Sequence, residues 1–252
     1  MGLFNLLFVQ PIYNLLILFS DIIPNGDIGW SIIIVTLIIK ALLAPLTFKS
    51  LKAQREMMEL QPKVAKIKED FKDNQQKMAE ELMKVYKEHN VNPFGSCLPL
   101  LIQLPIFLAI FQVLQKDLTS VDSDLLYSFV SQPEIVNVNF LGLIDISAVS
   151  VFLAVLAAAA QYFQVKTSMP PRPEPSVKKS AGALDEDVAA TVQRFTLYFI
   201  PGITLIVGTT TLPAGVMLYW LVATIITIVT YKYFAPKKNE KSDTVEIEVL
   251  KD

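Results

Sequence analysis

The sequence predicts an all-α polytopic membrane protein, five transmembrane helices with a charged helical hairpin outside the bilayer. Three observations carry that prediction. Of the 252 residues 52% are hydrophobic, and the mean hydropathy is +0.45, outside the range of a soluble domain. Five apolar stretches come near the length that crosses a hydrocarbon core of about 30 Å. Lysine and arginine are segregated into alternate connections between them, an asymmetry concealed by the near-neutral balance of 22 basic and 24 acidic residues.

Taken in order, residues 1–23 are apolar but interrupted by Asn5, Gln10, Pro11 and Asn14. No basic segment precedes them, which argues against a secretory signal, and no Ser or Thr follows Gly2 as myristoylation requires. The interruptions suit a helix lying in the outer interface, with a span as the alternative. Pro24-Asn25-Gly26-Asp27 is then a turn, closing an outer segment over 1–27.

The first span is 28–48. It carries no charge for twelve residues, then Lys40, then none until Lys49. Twenty-one residues at 1.5 Å each reach roughly 31 Å, so Lys40 lies about 13 Å inside the nearer end. A cation at such depth costs about 2.5–3.5 kcal/mol on insertion scales. One reading lets it snorkel along its own stem to the headgroups. The other turns it toward a wet cavity inside the bundle, and its helical face favours this: Thr36, Lys40, Ala44 and Thr47 form a small and polar stripe.

From Lys49 the composition changes. Ten basic residues (Lys49, Lys52, Arg55, Lys63, Lys66, Lys68, Lys72, Lys77, Lys84 and Lys87) mix with eight acidic ones before His89, itself expected at the solvated surface. Leu60, Val64, Ile67 and Phe71 make one helical stripe; Met78, Leu82, Val85 and Tyr86 make another. With Pro62 at the start and Lys72-Asp73-Asn74 as the turn, residues 49–93 read as an antiparallel helical hairpin, against the alternative of a shapeless charged spacer.

The remainder, 94–235, holds four more apolar segments at 94–115, 140–165, 195–211 and 215–234. A linker at 166–194, rich in proline near Met169–Pro175, reads as polar and extended. The uncharged turn before Gly215 makes the last two spans a hairpin, and 236–252 is a polar tail. Residues 1–27 contain no Lys or Arg, and the 116–139 loop has only Lys116. The positive-inside rule therefore places the N-terminus outside and the hairpin, linker and C-terminus in the cytoplasm, a parity that five spans satisfy.

Metal and nucleophile chemistry find no support. A single cysteine, Cys97, excludes an internal disulfide and a cysteine metal cluster, and there is no HExxH, phosphate loop or Ser–His pair in the spans. No cofactor is expected, and the chain does not read as an enzyme. The spans instead offer isolated polar groups: Thr36, Lys40, Gln103, Gln161, Thr204, Tyr219, Trp220 and Thr224. Each alone has a structural reading as a helix bridge or an aromatic-belt residue. Asp145 reads as interfacial. No acid lies deep enough to partner Lys40, and an unpaired buried cation needs water or an anion from elsewhere.

The run Asn92-Pro-Phe-Gly-Ser-Cys-Leu-Pro-Leu-Leu-Ile-Gln-Leu-Pro-Ile-Phe107, the preceding Leu60-Gln-Pro-Lys63, the Trp30–Thr47 pattern around Lys40 and Leu218-Tyr-Trp220 closely resemble the YidC/Oxa/Alb membrane protein insertases. The resemblance covers nearly all of residues 1–235. It implies a hydrophilic groove among the five spans, open to the cytoplasm and sideways to lipid. It puts the groove's positive charge at Lys40, where bacterial members most often carry arginine, and adds Thr36, Gln161 and Trp220 as groove-lining residues. Gln103 lies in a matching motif, with helix packing as its alternative role. Lysine keeps the charge but lacks the planar five-donor fork of arginine. The implied function is insertion of membrane proteins in a bacterial cytoplasmic membrane. The implied partners are nascent membrane proteins, the ribosome, the Sec translocon and lipid, with no specific nucleic-acid sequence. A small-anion transporter or channel is the alternative, and a tethering scaffold a further one; the first lacks a visible inverted repeat, and the second leaves Lys40 without a purpose.

Overall fold

The computed structural model describes residues 2–92, 98–116, 118, 121–133, 135–168 and 183–234, with backbone alone at 98–100 and 183–194. Cys97, the stretch 93–97 of the Asn92–Phe107 motif, the middle of the predicted linker and the tail 236–252 lie outside those residues. A π-helical turn, Asn5–Val9, leads into α1 (Gln10–Ile22), then α2 (Ile28–Glu59), α3 (Gln61–Asp70), α4 (Gln75–Glu88) and α5 (Leu98–Leu114). Two short strands, β1 (Asn139–Phe140) and β2 (Ile144–Asp145), precede α6 (Val151–Ser168), α7 (Ala183–Thr210) and α8 (Ala214–Phe234).

Among the described residues three helices are long and apolar enough to cross a membrane: Asn5–Ile22, Ile28–Glu59 and Ala214–Phe234, with Leu101–Leu114 and Phe195–Thr210 as shorter apolar stretches. The bundle is apolar outside and partly polar inside. Leu37, Leu42, Leu101, Leu104, Phe152 and Phe163 are exposed, while Gln10, Asn14, Ser20, Thr36 and Gln161 are buried. Water as solvent would select the reverse; lipid selects this.

Helix α8 is central, packing on α2, α5 and α6, while α7 packs on α6 and α1 on α2. Gly215 permits the convergence. A Cβ there would lie 2.6 Å from Ile146 Cγ2 and 3.2 Å from both Ile32 Cδ1 and Leu114 Cδ1. Proline interrupts α2 at Pro45, α5 at Pro105 and α7 at Pro201, and Thr47 donates its hydroxyl to Leu43 O one turn back. Such self-bonding threonines hide their hydroxyls from lipid.

Several boundaries differ from the sequence expectation. Helix α2 does not end at 48 but runs on through 49–59, because those residues are strong helix formers and the next proline, Pro62, falls in the first turn of α3. The expected span 140–165 begins only at Val151. Leu141 and Gly142 adopt left-handed φ of 56° and 70° and close an antiparallel ladder, Asn139 opposite Asp145 and Phe140 opposite Ile144, which a helix cannot contain. The last part of the expected extended linker, 183–194, is helix, the first turns of α7; it is rich in Ala, with Asp185, Glu186 and Asp187 near the start, where the helix dipole favours acids.

The α3–α4 hairpin forms as expected, with Asn74 capping α4 by accepting from Lys77 N at 3.0 Å. Val64, Ile67, Phe71, Met78, Leu82, Val85 and Tyr86 are half-buried between the two helices, although neither helix has a fully buried residue. His89 is exposed, as read from sequence. One ring nitrogen faces Val85 O and the other lies 2.9 Å from Lys63 Nζ.

The polar interruptions of α1 turn inward. Asn14 donates to Leu125 O and accepts from Tyr127 N, Gln10 donates to Leu125 O, and the Tyr13 hydroxyl accepts from Asp122 N. They hold the 121–127 loop over the bundle end, while Leu3, Leu6 and Leu7 face outward.

Candidate functional site

Lys40 sits one turn before Pro45 on α2, half-buried and facing α5 and α8. Its ammonium donates to Gln103 Oε1 at 3.4 Å and to Thr227 Oγ1 at 3.3 Å. Both partners are neutral, and both distances exceed the 2.7–2.9 Å of close charge-assisted bonds. Among the described residues no carboxylate lies within salt-bridge distance of it. The positive charge is therefore held but not neutralised.

Each partner is itself oriented. Thr227 donates its hydroxyl to Ala223 O at 2.8 Å, so the oxygen lone pairs are left to accept from Lys40. Gln103 donates its amide to the buried Tyr219 hydroxyl, which turns its carbonyl oxygen toward the ammonium. One turn along α5, Phe107 meets Trp220 edge-to-face with ring centroids 5.1 Å apart. Gln103 and Phe107 thus share one face of α5, and Trp220 and Thr227 share one face of α8 at a spacing of seven. Toward the C-terminal ends of α2 and α8, Phe48 packs on Phe234 at 5.2 Å and Tyr231 donates to Gln54 Oε1 at 2.7 Å.

Of the residues singled out from sequence, Lys40, Gln103 and Trp220 lie between α2, α5 and α8. Thr36 is buried one turn away, its hydroxyl donated to Ile32 O at 2.6 Å. Gln161 faces a different contact: its side-chain oxygen accepts from Thr204 across α6 and α7. Tyr219 is among the polar groups that the sequence offers but not among the groove residues that the resemblance implies; Thr227 is in neither set, though its seven-residue offset from Trp220 is readable. Among the described residues no buried side-chain polar atom lacks a partner.

What this cluster offers chemically is a cation in an apolar bundle, solvated by an amide and a hydroxyl instead of an acid. It contains no nucleophile–base pair. An anionic group approaching from lipid or water would find the charge uncompensated.

The 60Kd inner membrane protein family matches residues 18–241 of this chain. A "Membrane protein insertase YidC" of Fusobacterium nucleatum is 34% identical over 233 residues, 90% of this chain and 98% of that protein. One of Clostridium tetani is 35% identical over 213 residues, 83% of this chain and 84% of that protein. One of Actinobacillus succinogenes is 36% identical over 223 residues, which are 87% of this chain but only 35% of that longer protein.

Proposed function

Because this chain belongs to the 60Kd inner membrane protein (YidC/Oxa) family, we propose that it is a membrane protein insertase whose working charge is Lys40. It is a multi-pass protein of a bacterial inner membrane. In this reading five spans surround a hydrophilic groove open to the cytoplasm, with the N-terminus outside. The α3–α4 hairpin and the C-terminal tail lie on the cytoplasmic side, where the ribosome or the Sec translocon deliver the substrate. The distribution of Lys and Arg supports that orientation.

The substrate is a nascent hydrophobic segment with a polar, often acidic, outer tail. The segment enters the groove from the cytoplasm, and the tail travels toward the outer side past Lys40. At an effective dielectric near 20, unit charges 4 Å apart attract by roughly 4 kcal/mol. That matches the roughly 2.5–3.5 kcal/mol it costs to bring an acidic side chain toward the bilayer centre. The attraction is transient, since water also reaches the groove, and burial of the segment's apolar surface drives its sideways exit into lipid. Gln103, Thr227 and Tyr219 hold the ammonium in place without cancelling it. Trp220 supplies an apolar wall, Thr36 lies one turn farther along α2, and Gln161 bridges to Thr204 between α6 and α7, apart from the Lys40 cluster. The observation that carries this reading is the pairing of Lys40 with two neutral groups and, among the described residues, with no acid.

The test is protease protection of reporter substrates that differ only in tail charge, in vesicles containing each variant. Lys40→Arg should insert both reporters, whereas Lys40→Ala and Lys40→Glu should impair the acidic tail most and spare the short neutral one. Equal loss for both tails would remove electrostatic capture from the mechanism.

A further inference from the structure

At the end of the bundle away from the α3–α4 hairpin, the turn joining β1 to β2 displays large apolar side chains. Leu143 is 85% exposed, and Leu141 beside it is 56% exposed. The turn is held rigidly. Phe140 lies against Gly29, where a Cβ would stand 2.2 Å from its ring, and meets Trp30 edge-to-face at 5.9 Å. Leu141 takes a left-handed conformation that bulky residues seldom adopt, pinned by its N–H to the buried Asp27 Oδ2 at 3.0 Å. A tightly built turn that shows two leucines to the exterior is costly in water.

Its level along the bundle resolves this. Through Phe140 the turn is fixed to the first turn of α2, where Trp30 is itself exposed, a position at which tryptophan marks the membrane–water interface. Its apolar side chains share a cleft with Val149 and Phe152, and these with Val151 form the exposed start of α6. A cleft of about 440 Å³ between turn and helix is lined by Leu143, Ile144, Val149 and Phe152 together with Asp145 and Ser150. Across 135–152 the only charge is Asp145.

We propose that the β1–β2 turn is seated in the bilayer interface, with Leu141 and Leu143 among the lipid chains at the α2 N-terminal end and Asp145 at the level of the headgroups. The occupant is lipid because the patch shares a cleft with the lipid-facing flank of α6 and lies level with Trp30. The turn thereby fixes the depth of α2 and α6, and with them that of Lys40. This inference rests on the membrane placement of the bundle and is independent of the insertase reading.

The test uses the full chain with Cys97→Ser, reconstituted in phosphatidylcholine–phosphatidylglycerol vesicles and spin-labelled at Leu143→Cys or, as a control, Ser123→Cys. Collision with lipid-soluble oxygen should exceed collision with a water-soluble nickel chelate several-fold more at 143 than at 123. Equal ratios at the two sites would overturn the proposal by placing the turn in water. Shielding of 143 from both probes would overturn it too, since a protein partner or a second copy would then cover the turn. A label at Val149→Cys repeats the measurement if Leu143→Cys does not fold, and the same outcomes decide.

Discussion

Two polar clusters sit inside this apolar molecule, and they are built on opposite principles. In the outer cluster Gln10, Tyr13, Asn14 and Asp27 bond to the backbone of other segments at 2.7–3.2 Å. Asp27 accepts from Gly29 N at 2.8 Å and Leu141 N at 3.0 Å; Asn14 joins Leu125 O at 2.8 Å and Tyr127 N at 2.7 Å. Around Lys40 the bonds run between side chains, at 3.3–3.4 Å, to groups that leave the charge uncompensated. The first arrangement consumes polarity to fix loops over helix ends. The second keeps polarity available. A buried group whose partners are backbone atoms reads as architecture, and one whose partners are neutral and loose reads as a site.

The comparison breaks most visibly at Asp27. Asp27→Ala removes the cap of α2, worth about 0.5–2 kcal/mol. It also leaves the Leu141 N–H without its acceptor, at about 1–3 kcal/mol more. The thermal unfolding midpoint of the purified protein in detergent should fall clearly. Insertion per folded molecule should stay near the parent value. A midpoint unchanged by Asp27→Ala would mean that these short bonds are incidental and the contrast between the clusters false.

Lys40→Leu should do the opposite. It relieves a cation whose placement costs about 2.5–3.5 kcal/mol at mid-membrane depth, offset by leaving Gln103 Oε1 without its donor, at about 1–3 kcal/mol. The midpoint should hold or rise by a smaller amount than Asp27→Ala lowers it, while insertion of acidic-tailed substrates drops. Such an inverse relation between stability and activity is what a functional charge produces. Loss of the folded protein in Lys40→Leu would make Lys40 part of the architecture instead.

The two clusters were not equally legible in the sequence. Lys40 stood out because one charge interrupts a long apolar run, and Gln103 because it repeats that contrast in α5. Their partners did not, since a threonine in a spanning helix normally satisfies itself one turn back, as Thr36, Thr47 and Thr227 all do; only the fold reveals that Thr227 also accepts from Lys40. The outer cluster was harder. Gln10 and Asn14 looked like residues turned to headgroups because polarity ordinarily faces water. In a bundle whose outside is lipid, polarity faces inward, and nothing local in the chain reveals the loop at 121–127 that receives it. Phe140–Ile146 reads as the start of a span because its composition is that of one; the left-handed Leu141 and Gly142, and the contact with Gly29, come from tertiary structure.

The smallest effect is expected where the outer cluster does use charge. Lys116 Nζ lies 2.7 Å from Asp122 Oδ2, both groups well exposed, and the Asp122 backbone N–H is the one that Tyr13 accepts. Hydrogen bonding from Lys116 holds the Asp122 carboxyl below its usual range. Because the folded-state value is depressed, the contribution is present in full above the unfolded carboxylate value of about 3.9 and is lost as pH falls through the folded value. Its size is that of an exposed ion pair, about 0–1 kcal/mol, and salt screens it further. Unfolding midpoints of the parent and Lys116→Met should therefore differ slightly at pH 6 and low salt. They should converge as the pH is lowered below 4 or as salt is raised. A large difference that persists at low pH would show Lys116 acting through packing on the 121–127 loop, and the outer cluster would then depend on more than its backbone bonds to Asn14, Gln10 and Tyr13.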